Sequence, residues 1–431
     1  MPEPGRWEEE LDPRVLAEVK IVVKAFREAS GGAIQIGVAP ADRGIGYLYA
    51  EGQLLVRDDY YESVLRLLER YDEPTWDKLA DTAQRPSEED PVRIRRVIAG
   101  VVLVQIHGLD VLAALEVIDR RFGAGIATPN HVLTVSGGTP SICPATEPQV
   151  VYDDIEPYPS VRQDDGGAGV LVYVADTGLL AGAASSHSWL AGVHKAGPQD
   201  QDPGDGQQPI PPYTGHGTFV AGVLRCVAPA ADVVVADVFR IAGSALESDT
   251  VPRLAAALGR GVDIFHLTIA ALTRKDLPLI GFEAWLKLLG QYKGTVCVVA
   301  AGNSGSRRPT WPAAFPEVVS VGALAGDWRS RASFSNFGGW VDVYAPGRDL
   351  VNAYATGTYE CLIPPYAGQL REFFGMAKWS GTSFSTPIVT GLIADRMYRT
   401  GENGREAATA LIAEAQAQAI PGVGAILLPK P

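Results

Sequence analysis

The sequence predicts an α/β fold: a parallel sheet covered by helices on both faces, preceded by a small α+β domain. Three observations predict it. Beyond Gly169, the runs GVLVYVAD, ADVVVADVF, VDIFHLTIA and GTVCVVAAG are almost continuously apolar, as strands buried on both faces are. Helical patterns such as DTVPRLAAALGRG and FEAWLKLLGQY separate them, so strands and helices alternate, as in a parallel sheet. Before residue 138 the order is different: strand, helix, two strands, helix, strand.

That first region reads as follows. PRVLAEVKIVVKAFREA (13–29) has apolar residues at helical spacing. GQLLVR then predicts a strand and YYESVLRLLERY a helix. After a polar stretch near Pro86 and Pro91, VRIRRVIAGVVLVQIHG is rich in β-branched residues and is split into two strands by Gly100. DVLAALEVIDRRFG predicts a helix ended by Gly123, and HVLTVSG a last strand. The order β-α-β-β-α-β is that of a ferredoxin-like split βαβ sandwich, to which the helix at 13–29 is additional. From Gly137 to Gly169 proline, glycine and acidic residues dominate, which predicts a linker. The expected division is therefore 1–138, a linker at 139–168, and 169–431. AGPQDQDPGDGQQPIPP (196–212) is expected as a surface excursion of the last domain.

Bulk composition narrows the function classes. Lys plus Arg is 37 against 50 for Asp plus Glu, a formal charge of −13. This balance argues against nucleic acid or an anionic membrane as partner. No apolar run approaches the roughly 18 residues of a spanning helix, and the N-terminus lacks the pattern of a secretory signal. Cys143, Cys226, Cys297 and Cys361 are far apart, without metal-ligand spacing. A cytoplasmic protein with reduced thiols and no metal set is expected.

Four residues at element ends carry chemistry. VYVADTG places Asp176 where a buried strand stops, and GHGTFVAGVL places His216 at the start of an apolar helix. VVAAGNSG ends a strand at Asn303, and SGTSFSTPIVTG sets Ser383 among small residues. A serine hydroxyl needs a neighbouring base to become a nucleophile. Histidine titrates near neutrality and serves as that base. A buried carboxylate orients the imidazole, and a tetrahedral oxyanion needs fixed donors such as an Asn amide and a backbone N–H.

With those motifs the chain resembles the subtilisin-like serine peptidases (subtilases) over roughly residues 169–400. WPAAFPEVVSVGA and ASFSNFGGWVDVYAPG add to the resemblance. The chain order Asp, His, Ser is the one known for subtilisin. The resemblance implies Asp176 as orienting acid, His216 as base, Ser383 as nucleophile and Asn303 as oxyanion donor. It implies a peptide or protein substrate held between Gly243, Ser244 and Ala245 on one side and Leu267, Thr268, Ile269 and Ala270 on the other. Ala270 departs from the glycine usual there. No cofactor is implied. No run matches the family's calcium loops, so calcium is left open. Many subtilases carry a β-α-β-β-α-β propeptide, and TPNHVLTVSG is similar to its ending. This implies an N-terminal domain that acts as an intramolecular inhibitor, with the segment Thr134–Thr139 running toward Ser383. A non-catalytic peptide-binding scaffold on the same fold is the rival. Arg307 and Arg308 offer a pocket for acidic side chains; if both face water, Thr268, Ala270 and Thr310 favour small or medium apolar ones.

Overall fold

The structure, a computed structural model, describes residues 12–40, 45–71, 92–135, 145–152, 155–197 and 208–429. The polar stretch near Pro86–Pro91, residues 136–139 of the segment expected to run toward Ser383, residues 139–144 of the expected linker with Cys143, and residues 198–207 of the expected excursion lie outside the described residues.

The C-terminal sheet is parallel throughout. Its strands are β7 (Leu171–Asp176), β8 (His194–Lys195), β9 (Asp232–Asp237), β11 (Ile264–Leu267), β12 (Val296–Ala300), β13 (Val319–Leu324) and β14 (Val343–Pro346). They lie in the order β14-β13-β12-β11-β7-β9-β8. Successive residues of a strand point to opposite faces, and both faces are apolar. Val172 and Val174 of β7 pack with Val298 and Val321 beneath α5 (His216–Val227) and α8 (Thr382–Thr400). Tyr173 and Ala175 face the other way, toward Val251 and Leu254 of α6 (Glu247–Ala257) and Phe282 and Trp285 of α7 (Ile280–Leu289).

The N-terminal region contains the expected β-α-β-β-α-β order: β2 (Ile45–Arg57), α2 (Tyr61–Tyr71), β3 (Val92–Ile98), β4 (Val101–Ile106), α3 (Val111–Phe122) and β5 (Ala127–Thr134). Asp110 caps α3 by accepting from the N–H groups of Leu112 and Ala113. Two elements precede this unit, α1 (Pro13–Ala29) and β1 (Ile36–Pro40), which pairs with β2. One face of the antiparallel sheet buries Leu54, Val56, Val102 and Val104 under α2 and α3. The opposite face puts Leu55, Val101 and Leu103 into the same core as Phe282 and Trp285 of α7. α1 lies over the sheet's other end, where Val15, Val19, Val22 and Phe26 pack with Val132 of β5 and Leu246.

The two regions share a sheet. β10 (Ser244–Leu246) pairs antiparallel with β5, setting Ser244 opposite Thr134 and Leu246 opposite Val132. Asn130 and Ser248 bond each other reciprocally at the end of this pairing. Around the rim, Arg57 pairs with Glu283, Arg95 with Asp249, and Arg274 with both Glu116 and Asp119.

Residues 145–168, expected as linker, lie along the C-terminal region where they are described. β6 (Gln149–Val150) pairs with β16 (Leu370–Trp379), which forms a hairpin with β15 (Leu350–Glu360). The Glu147 carboxylate accepts from the Tyr359 hydroxyl at 2.9 Å and the Leu362 N–H at 2.7 Å. Trp379 donates its indole N–H to the Thr146 carbonyl, and Tyr158 exchanges backbone bonds with Val351. This segment is a strap.

Candidate active site

Neighbouring strands deliver the site. Asp176 ends β7, Asn303 follows β12, and Thr268 to Ala270 leave β11. All three lie at carboxyl ends of adjacent strands, where parallel sheets gather function. The starts of α5 and α8 add His216 and Ser383. Gly217 lets α5 begin against the Asp-Thr-Gly turn: a Cβ there would stand 2.5 Å from the Gly178 carbonyl oxygen and 3.1 Å from Asp176 Oδ1.

The buried Asp176 carboxylate accepts three bonds. Oδ1 takes His216 Nδ1 at 2.7 Å and the Thr177 N–H at 2.7 Å, and Oδ2 takes the Thr268 hydroxyl. Burial alone would raise this carboxyl. The His216 imidazole and the hydroxyl and N–H donors outweigh burial, and the group is held below the ordinary carboxylate range. With Nδ1 bonded to the carboxylate, His216 keeps Nε2 for another partner. Phe384 and Trp379 pack on the ring at centroid distances of 5.3 and 5.5 Å.

Asn303 is oriented from one side. Its Oδ1 accepts from the Thr382 N–H at 2.8 Å and the Thr382 hydroxyl at 2.9 Å, which turns Nδ2 the opposite way. The same hydroxyl accepts from the Gly302 N–H at 3.1 Å. These bonds join the end of β12 to the start of α8, and so fix Asn303 relative to Ser383.

The cleft between the two predicted edges is filled by the chain's own β5. Thr134 and Ala270 exchange backbone bonds of 3.3 and 3.0 Å, and the Val135 N–H donates to the Gly243 carbonyl at 2.9 Å. The strand is sandwiched between Gly243–Leu246 and Ala270. At its end the Ser383 hydroxyl donates to the Val135 carbonyl at 3.0 Å. The Ser383 hydroxyl thus bonds the strand and not the imidazole. His216 Nε2 is buried without a hydrogen-bond partner among the described residues.

Of the predicted edge residues, Gly243, Ser244, Ala245 and Ala270 line the strand. Leu267 and Ile269 are buried in the core, and Thr268 turns to Asp176. The arginines do not enter the cleft. Arg308 binds Asp276 and the Thr273 carbonyl, and the exposed Arg307 sits over the Phe337 ring at 5.8 Å. Thr310 donates to the Ala301 carbonyl. His266, on the strand leading to the pocket, points away from it: Nδ1 bonds the Thr390 hydroxyl at 2.8 Å. Burial, against the pull of Asp176, pushes its pKa down to about 3, so it stays neutral. Sequence reasoning missed the Thr268 hydroxyl on Asp176. Its signal was the hydroxyl residue next to a strand end beside β7.

Comparison with known proteins identifies the family. The model of the Subtilase family (Peptidase_S8) matches residues 167–421, more than half of the chain. An intracellular serine protease of Paenibacillus polymyxa is 31% identical over 250 residues, covering 55% of this chain and 69% of its own. Thermitase of Thermoactinomyces vulgaris is 29% identical over 241 residues, covering 52% and 74%. A crystal structure of a cold adapted subtilisin-like serine proteinase aligns with 66% of this chain and 96% of its own, at 23% identity and a TM-score of 0.47. Among the described residues no helix is long and apolar enough to cross a membrane. The chain belongs to the subtilase family of serine peptidases.

Proposed function

We propose that Asp176, His216 and Ser383 act as orienting acid, base and nucleophile of an endopeptidase, and that the N-terminal region is its intramolecular inhibitor. In this reading His216 Nε2 takes the proton of Ser383 Oγ as Oγ attacks the carbonyl carbon of a bound peptide. Asp176 holds the ring by Nδ1 and stabilises the imidazolium that forms. The carbonyl oxygen gains negative charge and accepts from Asn303 Nδ2 and the Ser383 backbone N–H, at the positive end of α8. His216 then returns the proton to the leaving amine. Water repeats the sequence on the acyl-enzyme and frees Ser383.

The observation that carries the reading is the Ser383 hydroxyl on the Val135 carbonyl, at the end of a strand paired on both edges. An extended peptide binds such a cleft by adding a strand to its edges, and β5 is seated in that way. While it stays there, Ser383 is bonded to a carbonyl oxygen and other peptides are kept out. The division into an inhibitory region to residue 138, a connecting segment at 139–168 and a peptidase domain from 169 belongs to the same proposal, with the strap kept by the peptidase. A cytoplasmic location is also part of it; its support is the buried, unpaired thiols of Cys226, Cys297 and Cys361.

Labelling with a fluorophosphonate tests the site. Covalent modification of Ser383, lost in Ser383→Ala, is expected once β5 is released. Labelling of another serine, or equal peptide cleavage by the Ala variant, would overturn the assignment.

A further inference from the structure

One further side chain, Tyr213, reaches the cleft beside Gly243. Tyr213 lies three residues before His216 and has a φ of 64°, in the left-handed region that a bulky residue seldom occupies. Such conformations persist where the surroundings over-determine them, and they gather at functional sites. Here the Tyr213 carbonyl accepts from the His216 N–H at 3.1 Å and the Thr177 hydroxyl at 3.3 Å. Both donors belong to the turns that present the site. The ring lies beside Gly243.

Gly243 also has a positive φ, 67°. A Cβ built on it would stand 2.8 Å from Tyr213 Cγ and 2.9 Å from Val135 Cγ2. The tyrosine ring and the valine methyl therefore converge on the space that glycine leaves open. Val135 is fully buried. It is also fixed along the chain, its N–H on Gly243 and its carbonyl on the Ser383 hydroxyl. A longer side chain at that place cannot slide along the strand to find room.

We propose that Tyr213 and Gly243 form a size-selecting wall, and that peptides cleaved by this enzyme carry a compact, β-branched apolar residue where Val135 sits. The proposal rests on the reading of Ser383 as nucleophile and of β5 as a substrate-like strand. A β-branched residue fills the pocket from Cβ and has few rotamers to lose. A side chain that branches beyond Cβ, or an aromatic one, meets the Tyr213 ring beside Gly243. A misfit of one or a few carbons in such a pocket changes kcat/KM by roughly 10–200-fold.

The test uses the full chain, with Ser383 shown to be accessible by fluorophosphonate labelling, and peptides with the sequence of residues 129–141 in which Val135 is Val, Ile, Ala, Leu, Phe or Lys. Cleavage points are read by mass spectrometry. The expected order is Val and Ile first, with Leu and Phe lower by about tenfold or more. Tyr213→Ala should bring Leu and Phe level with Val, and Tyr213→Phe, which keeps the ring, should restore the original order. A residue needed only for folding would lower all peptides together. Equal rates for Val, Leu and Phe in the unaltered enzyme would overturn the proposal, as would an unchanged order in Tyr213→Ala. So would cleavage of none of the peptides by enzyme whose Ser383 takes a fluorophosphonate. If Ser383 is not labelled at all, the failure lies in the nucleophile assignment instead.

Discussion

Two extended segments, β5 and β6, pair with strands of the peptidase fold, and they are held differently. β5, buried along its length, rests on the apolar core shared with Phe282 and Trp285 and uses main-chain bonds to Ser244–Leu246 and Ala270, with ion pairs around its rim. Several of these pairs are open to water: the side chains of Arg95 and Asp249 are 49% and 56% exposed, those of Lys275 and Glu116 45% and 55%. Water and another peptide can replace such contacts, and exposed ion pairs contribute little each. β6 has only two paired residues, but buried groups flank it. Glu147 answers two donors, Trp379 binds the Thr146 carbonyl, and Arg162 reaches Asp395 inside α8. The lesson is that strand pairing alone does not tell a permanent contact from a displaceable one. On the proposed function, β5 leaves the cleft and the strap stays; self-cleavage between residues 135 and 145 would separate them.

The largest expected effect tests whether β5 is presented as a substrate. Ser383→Ala should lower peptidase activity by about 10⁶-fold, the order found when the serine of such a triad is removed. The full-length variant should also remain one intact polypeptide by mass spectrometry, with β5 still seated. Cutting between residues 135 and 145 in the purified variant, at the rate of the unaltered chain, would assign that cut to another nucleophile. Asn303→Ala comes next. Its Oδ1 is anchored to Thr382, so the lost group is the Nδ2 donor. A fall in kcat of roughly 10²–10³-fold with little change in KM is expected; a change confined to KM would show that the amide binds substrate.

A paired substitution addresses the comparison itself, read by hydrogen exchange in the Ser383→Ala chain. Arg274→Ala removes a buried guanidinium from Asp119 and Glu116 and should loosen β5 by about 1–3 kcal/mol. The amides of Thr134 and Val135 should then exchange faster while those of β16 do not. Glu147→Ala leaves the Tyr359 hydroxyl and the Leu362 N–H without their acceptor, at a cost of about 1–3 kcal/mol for each. It should free β16 and spare β5. If either change loosens both segments together, the two contacts form one cooperative unit and the distinction fails.

What the sequence made legible was local. β7, β9, β11 and β12 announced themselves as apolar runs because parallel strands are buried on both faces. The place of Asp176, His216, Asn303 and Ser383 at element ends was legible because small residues flank them. β1 and the first half of β2 were missed, since glycines at 37, 46 and 52 break the apolar alternation. The β15–β16 hairpin was missed because one face of its outer half is exposed and mixed, with Leu370, Glu372 and Phe374 on it. The strap read as linker for a related reason: Glu147 and Arg162 gain their meaning from Tyr359, Leu362 and Asp395, more than 200 residues away. The Thr268 bond to Asp176 and the Tyr213 wall are long-range in the same sense. Neither leaves a period in the sequence.

The smallest effect expected is the pH dependence of the β5 contact, and its sign follows from the rim carboxylates. For Glu116, the bond from Lys275 lowers the pKa against a raising effect of burial, with Arg274 adding to the lowering. For Asp119 burial is the largest influence and raises it, but Lys275 and Arg274 together outweigh it and the group ends below its ordinary value. The Arg57 bond lowers Glu283 likewise. Each is thus more acidic when the N-terminal region is docked than when it is free. Groups of this kind contribute docking stability that is complete above their free values, about 3.9 for Asp and 4.3 for Glu. The contribution is lost as pH falls through the depressed docked values. Docking should therefore be level from pH 7 to 5 and weaken from about pH 4 downward. Asp119, whose side chain is 8% exposed, should dominate, and solvent screening diminishes the share of Glu116. Hydrogen exchange at Thr134 and Val135 in the Ser383→Ala chain, corrected for the intrinsic pH dependence of exchange, measures this. Asp119→Asn should flatten the acid limb. Loosening that begins between pH 7 and 5, or an acid limb unaltered in Asp119→Asn, would show that something other than these carboxylates governs release.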